Sequence, residues 1–333
     1  VKRPSIADRS GKMGKKDPQL GLVQLTDRAY GYMQEDKGLG WSNAGLIVGK
    51  EEALLVDTLF DLPLTKKMLD TIASKVGKPI RRVVNTHHNG DHFWGNQLVS
   101  DAEIIAHRMF RSEMMKMTPD VSRAVMEAPA DNPTVALLQE SLAPFDFSGI
   151  ELTPPTLVFD NHLTLYMDDR EVELIHVGPA HTSTDVIVFS PREKVLYAGD
   201  VIFRLCTPIG WEGTFHHWTL ALDRIVELGP ETIVPGHGPL CGPEGATEMR
   251  EYLQYVYKEA RVCFEREMTE KEAAKKIDLG PYADWTEPER LIFNVSRAYR
   301  EFRGEPHDTP VDFFEMANVM AEMKRAHCAR EMQ

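Results

Sequence analysis

The stretch Thr86-His87-His88-Asn89-Gly90-Asp91-His92 puts three imidazoles and a carboxylate within six consecutive positions. The apolar pair Val83-Val84 leads into it and Phe93-Trp94-Gly95-Asn96 follows. A strand ending in such a cluster offers several nitrogen and oxygen donors at one sheet edge. The chemistry those donors share is metal binding: zinc accepts His and Asp, and neutral imidazole also suits iron, nickel and copper. Four further stretches carry donors of the same kind. They are Gly178-Pro179-Ala180-His181-Thr182, Tyr197-Ala198-Gly199-Asp200, Val234-Pro235-Gly236-His237-Gly238-Pro239, and Asp57 after Ala53–Val56. Each falls where a strand is expected to end. One such ending is what chance provides; five in one chain converge on one rim.

The elements that must position these donors are read from periodicity and punctuation. Short apolar runs bounded by Gly, Asp or Lys predict strands at Leu22–Leu25, Ala44–Val48 and Ala53–Val56. Leu64, Met68, Ile72 and Val76 recur at helical spacing and predict a helix over Pro63–Val76. Strands follow at Arg82–Asn85 and Glu103–Ala106. Residues 108–155 change character: Met109, Met114, Met115 and Met117, then Pro129, Pro133 and Pro144, predict helices and loops inserted between two sheets. This insertion is either a lid over the site or a plain structural addition. Strands resume at Thr156–Phe159, Leu163–Met167, Val172–Val177, Val186–Phe189, Lys194–Ala198 and Thr232–Val234, with a helix at Leu220–Leu228. From Pro243 onward the text is helical: Glu244–Glu267, Glu270–Ile277, Glu287–Arg303 and Pro310–Ala329. Strands with interleaved helices, then strands again, imply an α/β fold of two sheets with helices outside.

The chain has 333 residues, 42% of them hydrophobic, which is enough for a substantial core. Its 38 basic and 51 acidic residues give a formal net charge of -13, and an acidic balance argues against a nucleic-acid partner. Cys206, Cys241, Cys263 and Cys328 are far apart and form no C-x-x-C pair, so buried thiols are expected rather than a disulfide framework or zinc ribbon. No apolar run approaches transmembrane length, and Val1-Lys2-Arg3-Pro4-Ser5 lacks the apolar core of a signal peptide. The expectation is a cytoplasmic protein off the membrane, with a removed leader left open because the chain starts on Val. Residues 1–20 are expected to be a flexible arm, 21–242 the metal-binding domain and 243–333 a helical region, through which a homodimer is conceivable.

The motif set resembles the metallo-β-lactamase superfamily. Its H-x-H-x-D-H pattern aligns with His87-His88-Asn89-Gly90-Asp91-His92, and the G-P-A-H-T, A-G-D and P-G-H-G-P segments occur in the family's order. The resemblance covers about Gly21 to Gly242. It implies a four-layer αββα sandwich with the metals at one edge, here with a helical insertion and a C-terminal helical extension. It also implies that His87 and His181 belong to a first metal position, and Asp91, His92 and His237 to a second. Asp200 would bridge the two or serve the second. Asp57 would stand behind the ligands and hold one by a hydrogen bond.

One departure matters. The second His of the pattern is Asn89, and a neutral amide is a much poorer zinc ligand than imidazole. The first position is left with His87, His181 and the amide oxygen of Asn89, so the second is expected to hold metal more tightly. Zinc is the expected ion, one or two per chain, with manganese and iron as alternatives. If the first position is empty, His87 or His88 becomes available as acid or base. A bound dication lowers the pKa of its water to about 7 and so provides hydroxide near neutral pH. Asp91 or Asp200 would orient it. The expected activity is hydrolysis of a small organic substrate at an ester, lactone, amide or related bond. Hydrolytic dehalogenation of an activated aromatic ring is the alternative within hydrolases, and an iron-containing redox protein of the same fold the alternative outside them.

The remaining candidates have competing readings. Phe93, Trp94, Trp211 and Phe215 either wall an apolar substrate pocket or belong to the core. Met109 to Met117 reads as core packing. His107 reads as structural, and His216-His217 as the start of a helix.

Overall fold

The computed structural model describes residues 19–331, so most of the expected flexible arm lies outside the described residues. Two sheets form the centre. The first holds β1 (Gly21–Gln24), β2 (Ala29–Met33), β3 (Ala44–Val48), β4 (Ala53–Val56), β5 (Ile80–Val84), β6 (Glu103–His107) and β7 (Leu157–Phe159), in that spatial order. The second runs β12 (Thr232–His237), β11 (Val195–Phe203), β10 (Val186–Ser190), β9 (Arg170–His176), β8 (His162–Met167). In the first sheet β1 to β4 are antiparallel, and β4 to β7 pair in parallel.

Alternation along the strands sorts side chains into layers. In the first sheet Ile47, Leu54, Val56, Val84 and Ile105 point inward to meet Val172, Val186, Val188, Tyr197 and Val234 of the second. Their neighbours Leu46, Leu55, Val83 and Ile104 point outward and are covered by Met68 and Ile72 of α1 (Leu62–Lys75). The second sheet turns Ile187, Phe189, Leu196 and Ala198 outward. These are covered by α6 (Phe215–Leu228), α7 (Pro243–Glu265), α8 (Glu270–Lys276) and α9 (Leu291–Arg303). The order helix, sheet, sheet, helix is the αββα sandwich.

Local chemistry fixes the helix ends. Asp61 caps α1 by accepting from Leu64 N at 2.8 Å, with Pro63 in the first turn. Thr214 caps α6, and Gly229 closes it at φ 66°. Thr269 and Glu272 form a reciprocal capping box on α8. Residues 108–155 contain α3 (Phe110–Glu113), α4 (Pro119–Glu127) and α5 (Pro133–Leu142), with the single-turn α2 (Gly90–Phe93) before them. Their apolar faces gather with Phe60, Trp94, Phe145 and Phe147 into a separate core cluster, which Ala317 of α10 (Phe313–Glu331) joins.

Four expectations need correction. Strand β2 is not anticipated by Tyr30-Gly31-Tyr32. Strand β11 does not stop at Ala198 but runs on to Phe203, and β12 runs through Pro235-Gly236-His237, with register shifts around Gly199 where the two pair. The last two helices begin later than expected. Pro288–Arg290 is a separate 3-10 turn before α9, and residues 306–312 precede α10 as a strap with a turn at 307–308. Arg297 and Arg300 of α9 hold that strap through the carbonyls of His307, Thr309 and Pro310. No helix among the described residues is long and apolar enough to cross a membrane.

Candidate metal centre

The donors named from the sequence meet at one edge of the sandwich: Asp57 follows β4, His87 follows β5, Asp91 and His92 sit on α2, His181 lies in the loop after β9, Asp200 within β11 and His237 at the end of β12. Asp200 is their hub. Its Oδ2 lies 3.3 Å from His181 Nε2, 3.4 Å from His237 Nε2 and 3.7 Å from His87 Nε2. Its Oδ1 lies 3.1 Å from His92 Nε2. Asp91 Oδ2 stands 3.3 Å from His237 Nε2 and 3.8 Å from His92 Nε2. Two groups of mutually close donor atoms result, His87/His92/Asp200 and Asp91/His92/His237. The backbone is shaped for this approach. A Cβ on Gly236 would overlap Asp200 Oδ1, and Gly199 at φ 51° lets β11 bulge beside Thr86.

Hydrogen bonds behind the ligands decide which ring nitrogens face the centre. Asp57 accepts from Thr86 N at 2.7 Å through Oδ1. Its Oδ2 accepts from Thr86 Oγ1 at 2.7 Å and from His92 Nδ1 at 2.8 Å. The Thr86 hydroxyl proton is thus committed to Asp57, so its oxygen accepts from His87 Nδ1 at 3.0 Å. His181 Nδ1 donates to the carbonyl of Ile209 at 2.7 Å. In all three imidazoles a proton sits on Nδ1 and Nε2 is turned inward. Asp57 holds this arrangement from a left-handed backbone at φ 63°, a region that Asp tolerates.

These inward-facing donor atoms call for a cation. His87 Nε2, His92 Nε2 and Asp200 Oδ1 are buried without a hydrogen-bond partner. His181 Nε2 faces Asn89 Oδ1 at 2.8 Å with no proton between them when Nδ1 carries it. Two lone pairs aimed at one another are accommodated by a shared metal ion. The residues therefore fit a divalent metal, and Asn89 reaches the centre at the position where the pattern has its second His. Its Nδ2 meets only Met117 Sδ, at 3.7 Å.

Charge at the centre follows the same logic. Burial would raise the Asp200 carboxyl, but His237, His92, His87 and His181 outweigh it and hold the group well below the ordinary range. Burial opposes charge on His92, yet Asp200, Asp91 and Asp57 prevail and raise it well above its usual value. His237 is likewise raised to about 9 by Asp200 and Asp91 against burial. Burial lowers His87 far below neutrality, with the charge of His92 adding to the effect.

Other candidates part company. His88 donates or accepts at Thr184 Oγ1 (2.8 Å from Nδ1), and burial pushes it down to about 3, so it is neutral at ordinary pH rather than an acid. Phe93 is fully buried against Phe110, and Phe215 is buried in α6 against Tyr257; both are core, not pocket. Trp94 and Trp211 do line a chamber beside the centre. Met114 is buried, whereas Met109 and Met115 are exposed and Met117 lines the chamber, so the Met stretch is not uniformly core. His107 stacks on His176 at 3.8 Å between ring centroids. His217 Nδ1 lies 3.1 Å from the capping Thr214 hydroxyl. Cys206, Cys241 and Cys263 are buried free thiols. Sequence reasoning missed Thr86 as the link between Asp57 and His87; its place directly before the cluster was the available signal. It also missed Glu113 and Glu212, for which no local signal exists.

A donor-rich edge on an αββα sandwich defines a metallo-hydrolase class, and comparison with known proteins gives the family. Residues 38–237 match the family model described as the Metallo-beta-lactamase superfamily, and the chain belongs to that superfamily. Metallo-beta-lactamase type 2 of Bacteroides fragilis is 21% identical over 260 residues, covering 75% of this chain and 90% of that protein. Alkyl/aryl-sulfatase BDS1 of Saccharomyces cerevisiae is 31% identical over 322 residues, covering 85% of this chain but 49% of that protein. The Linear primary-alkylsulfatase of Pseudomonas sp. is 24% identical over 301 residues, and the chain spans 57% of its length. Among solved structures, the sec-alkylsulfatase Pisa1 from Pseudomonas sp. superposes with a TM-score of 0.63 at 18% identity, over 86% of this chain and 50% of that one. The metallo-beta-lactamase from Pontibacter korlensis gives 0.53 at 19% identity, over 71% and 99%. At these identities the structures share the fold.

Proposed function

We propose that this chain is a zinc-dependent hydrolase of an ester-type bond, a carboxylic ester or lactone, in a substrate with a sizeable apolar body. The observation that carries this reading is a chamber of about 430 Å³ that opens onto Asp91, Asp200, His181 and His237. Its walls are largely apolar: Phe60, Trp94, Val125, Leu138, Trp211 and Phe313 take part. Such a chamber binds by burying apolar surface, with a few polar groups to set orientation. Part of the wall comes from the 108–155 insertion and part from the strap before α10, and both exclude water from the reacting bond.

When bound, the metal supplies a nucleophile from water and a Lewis acid for the substrate oxygen. The chain's residues supply the rest. Asp57 and Thr86 hold the imidazoles of His92 and His87 in the ligating tautomer. Asp91 and Asp200 orient the attacking water by hydrogen bonds. The Asn89 amide, bound only weakly at Nδ2, donates a hydrogen bond to the oxygen on which negative charge develops. Trp94 and Trp211 clamp the apolar body so that the scissile bond lies against the centre.

A sulfate ester is the second reading, favoured by the likeness to two alkylsulfatases. Metal-stripped protein should be reconstituted with zinc and offered aryl esters of rising chain length, lactones, alkyl sulfates and an activated haloaromatic. Turnover of esters or lactones that rises with chain length and vanishes on chelation is expected. Turnover confined to sulfates or to the haloaromatic would overturn the carboxylic-ester assignment.

A further inference from the structure

A second group of metal-type donors stands in the neighbourhood of the chamber, apart from the centre already described. It consists of His88, Glu113 and Glu212, whose donor atoms all lie within 4.8 Å of one another. The three come from separate places: the loop after β5, the last residue of α3, and the loop after β11. None is a ligand in the main centre. Bonds of about 2.0–2.2 Å to one ion allow two donors to be at most about 4.4 Å apart, so small side-chain rotations close the set.

Three observations point to a cation here. His88 is 6% exposed, lines the chamber, and hydrogen-bonds through Nδ1 to Thr184 Oγ1; among the described residues no hydrogen bond reaches Nε2. Glu113 is equally buried, an unusual place for a carboxylate, and among the described residues its Oε1 has only the Ser112 hydroxyl, at 3.5 Å. Glu212 uses Oε2 to accept from Ser183 N at 2.5 Å, which fixes the carboxylate and leaves Oε1 for another partner. The cation now nearest is the ammonium of Lys116, 2.6 Å from Glu113 Oε2, on a side chain that is 68% exposed. A long, solvated stem of this kind leaves its partner at little cost.

We infer that His88, Glu113 and Glu212 form an additional site for a divalent cation of the zinc or manganese class, with Lys116 as the counter-ion that the metal displaces. One imidazole and two carboxylates suit either ion. A metal held there would present open coordination positions at the chamber wall, where an anionic group of a substrate can bind. The site does not depend on which bond the enzyme cleaves.

The test is stoichiometry. Protein carrying its main-centre metal is dialysed against micromolar Zn²⁺ or Mn²⁺, and bound metal is counted by elemental analysis. The same is done for Glu113→Gln, Glu212→Gln and Lys116→Met, with circular dichroism to show that each is folded. Wild type should hold one equivalent more than either Gln variant. Lys116→Met should bind that equivalent about threefold more tightly, since a competing cation is gone. Equal stoichiometry in wild type and both Gln variants would overturn the site, and so would weaker binding in Lys116→Met. If one Gln variant fails to fold, the other and Lys116→Met still decide the matter.

Discussion

Replacing Asp57 by Asn tests whether one carboxylate sets the tautomers of two ligands. The two side chains are isosteric, and Asn tolerates the left-handed backbone at φ 63°, so the fold is left alone. What changes is the proton pattern. Asp57 accepts three hydrogen bonds, from Thr86 N, Thr86 Oγ1 and His92 Nδ1. An amide offers one acceptor oxygen. Thr86 N must donate, so the oxygen turns to it and the NH₂ group faces Thr86 Oγ1 and His92 Nδ1. His92 then accepts at Nδ1 and carries its proton on Nε2. The Thr86 hydroxyl, now accepting, donates to His87 Nδ1, and that ring too takes its proton to Nε2. Both inward lone pairs are lost. Removing one outer partner of a ligand costs about 10–100-fold in metal affinity, and with two ligands affected the upper end applies, about 2.7 kcal/mol. Thr86→Val breaks only the His87 branch and should cost about tenfold. Competition against a chelator of known affinity measures both. If Asp57→Asn binds metal within twofold of wild type, the tautomer relay is wrong.

Asn89→His should complete a three-imidazole set with His87 and His181, and elemental analysis should show a further equivalent of tightly held metal relative to wild type; unchanged stoichiometry would mean that the amide already serves. His92 and His237 are held protonated by Asp200 and Asp91, so metal binding at pH 7 should release about two protons. Calorimetry in buffers of different ionisation heat reads this directly, and no release would contradict the assignment. The same shifts carry a stability sign. Folded-state pKa values above the unfolded value stabilise the metal-free protein below about pH 6.5. That contribution is lost as pH rises through about 9 for His237, so the metal-free melting temperature should fall over this range and the loaded protein's should not. Glu301, raised to about 7 by burial while accepting from Phe215 N, destabilises the fold above that pH. Glu301→Gln keeps an acceptor and should add about 1 kcal/mol at pH 8 in denaturant titrations, after allowance for its partial exposure.

Much of the fold was legible because a strand buried on both sheet faces reads as a continuous apolar run, and Ala44–Val48, Ala53–Val56 and Val186–Ser190 are such runs. Strand β2 was not legible: Tyr30-Gly31-Tyr32 has no β-branched run, and a Cβ at Gly31 would crowd Met33 Sδ at 3.1 Å, a tertiary fact. The ends of β11 and β12 were misread because Gly and Pro usually close strands, whereas here they bulge one strand past another. The donors themselves were legible as residue types. Their tautomers were not, since Thr86 and Asp57 act through hydrogen bonds that span 29 positions. Phe93 and Trp94 show the limit of pattern reading. Adjacent residues on a single helical turn point about 100° apart; both enter the same core cluster, and only Trp94 also presents an edge to the chamber. Nothing in their identity says which.

The charge at the centre explains why such a crowded site folds before it binds anything. Asp57 and Asp200 are buried and Asp91 is half-buried beside them, an arrangement of three carboxylates that self-repulsion and desolvation oppose. His92 and His237, both raised in pKa, carry two protons that match the charge of one dication. Metal uptake then exchanges two protons for one ion with little change in net charge. The fold does not need to reorganise, because the Nδ1 protons that orient His87, His92 and His181 stay where Thr86, Asp57 and Ile209 hold them. What the exchange cannot supply is a strong third nitrogen donor beside His87 and His181. Asn89 offers a weaker oxygen there and, unlike imidazole, leaves an amide N–H free for the substrate. Asn89→His should therefore separate two roles: metal held more firmly at that position, and kcat reduced by the loss of the donor even when the metal content is complete.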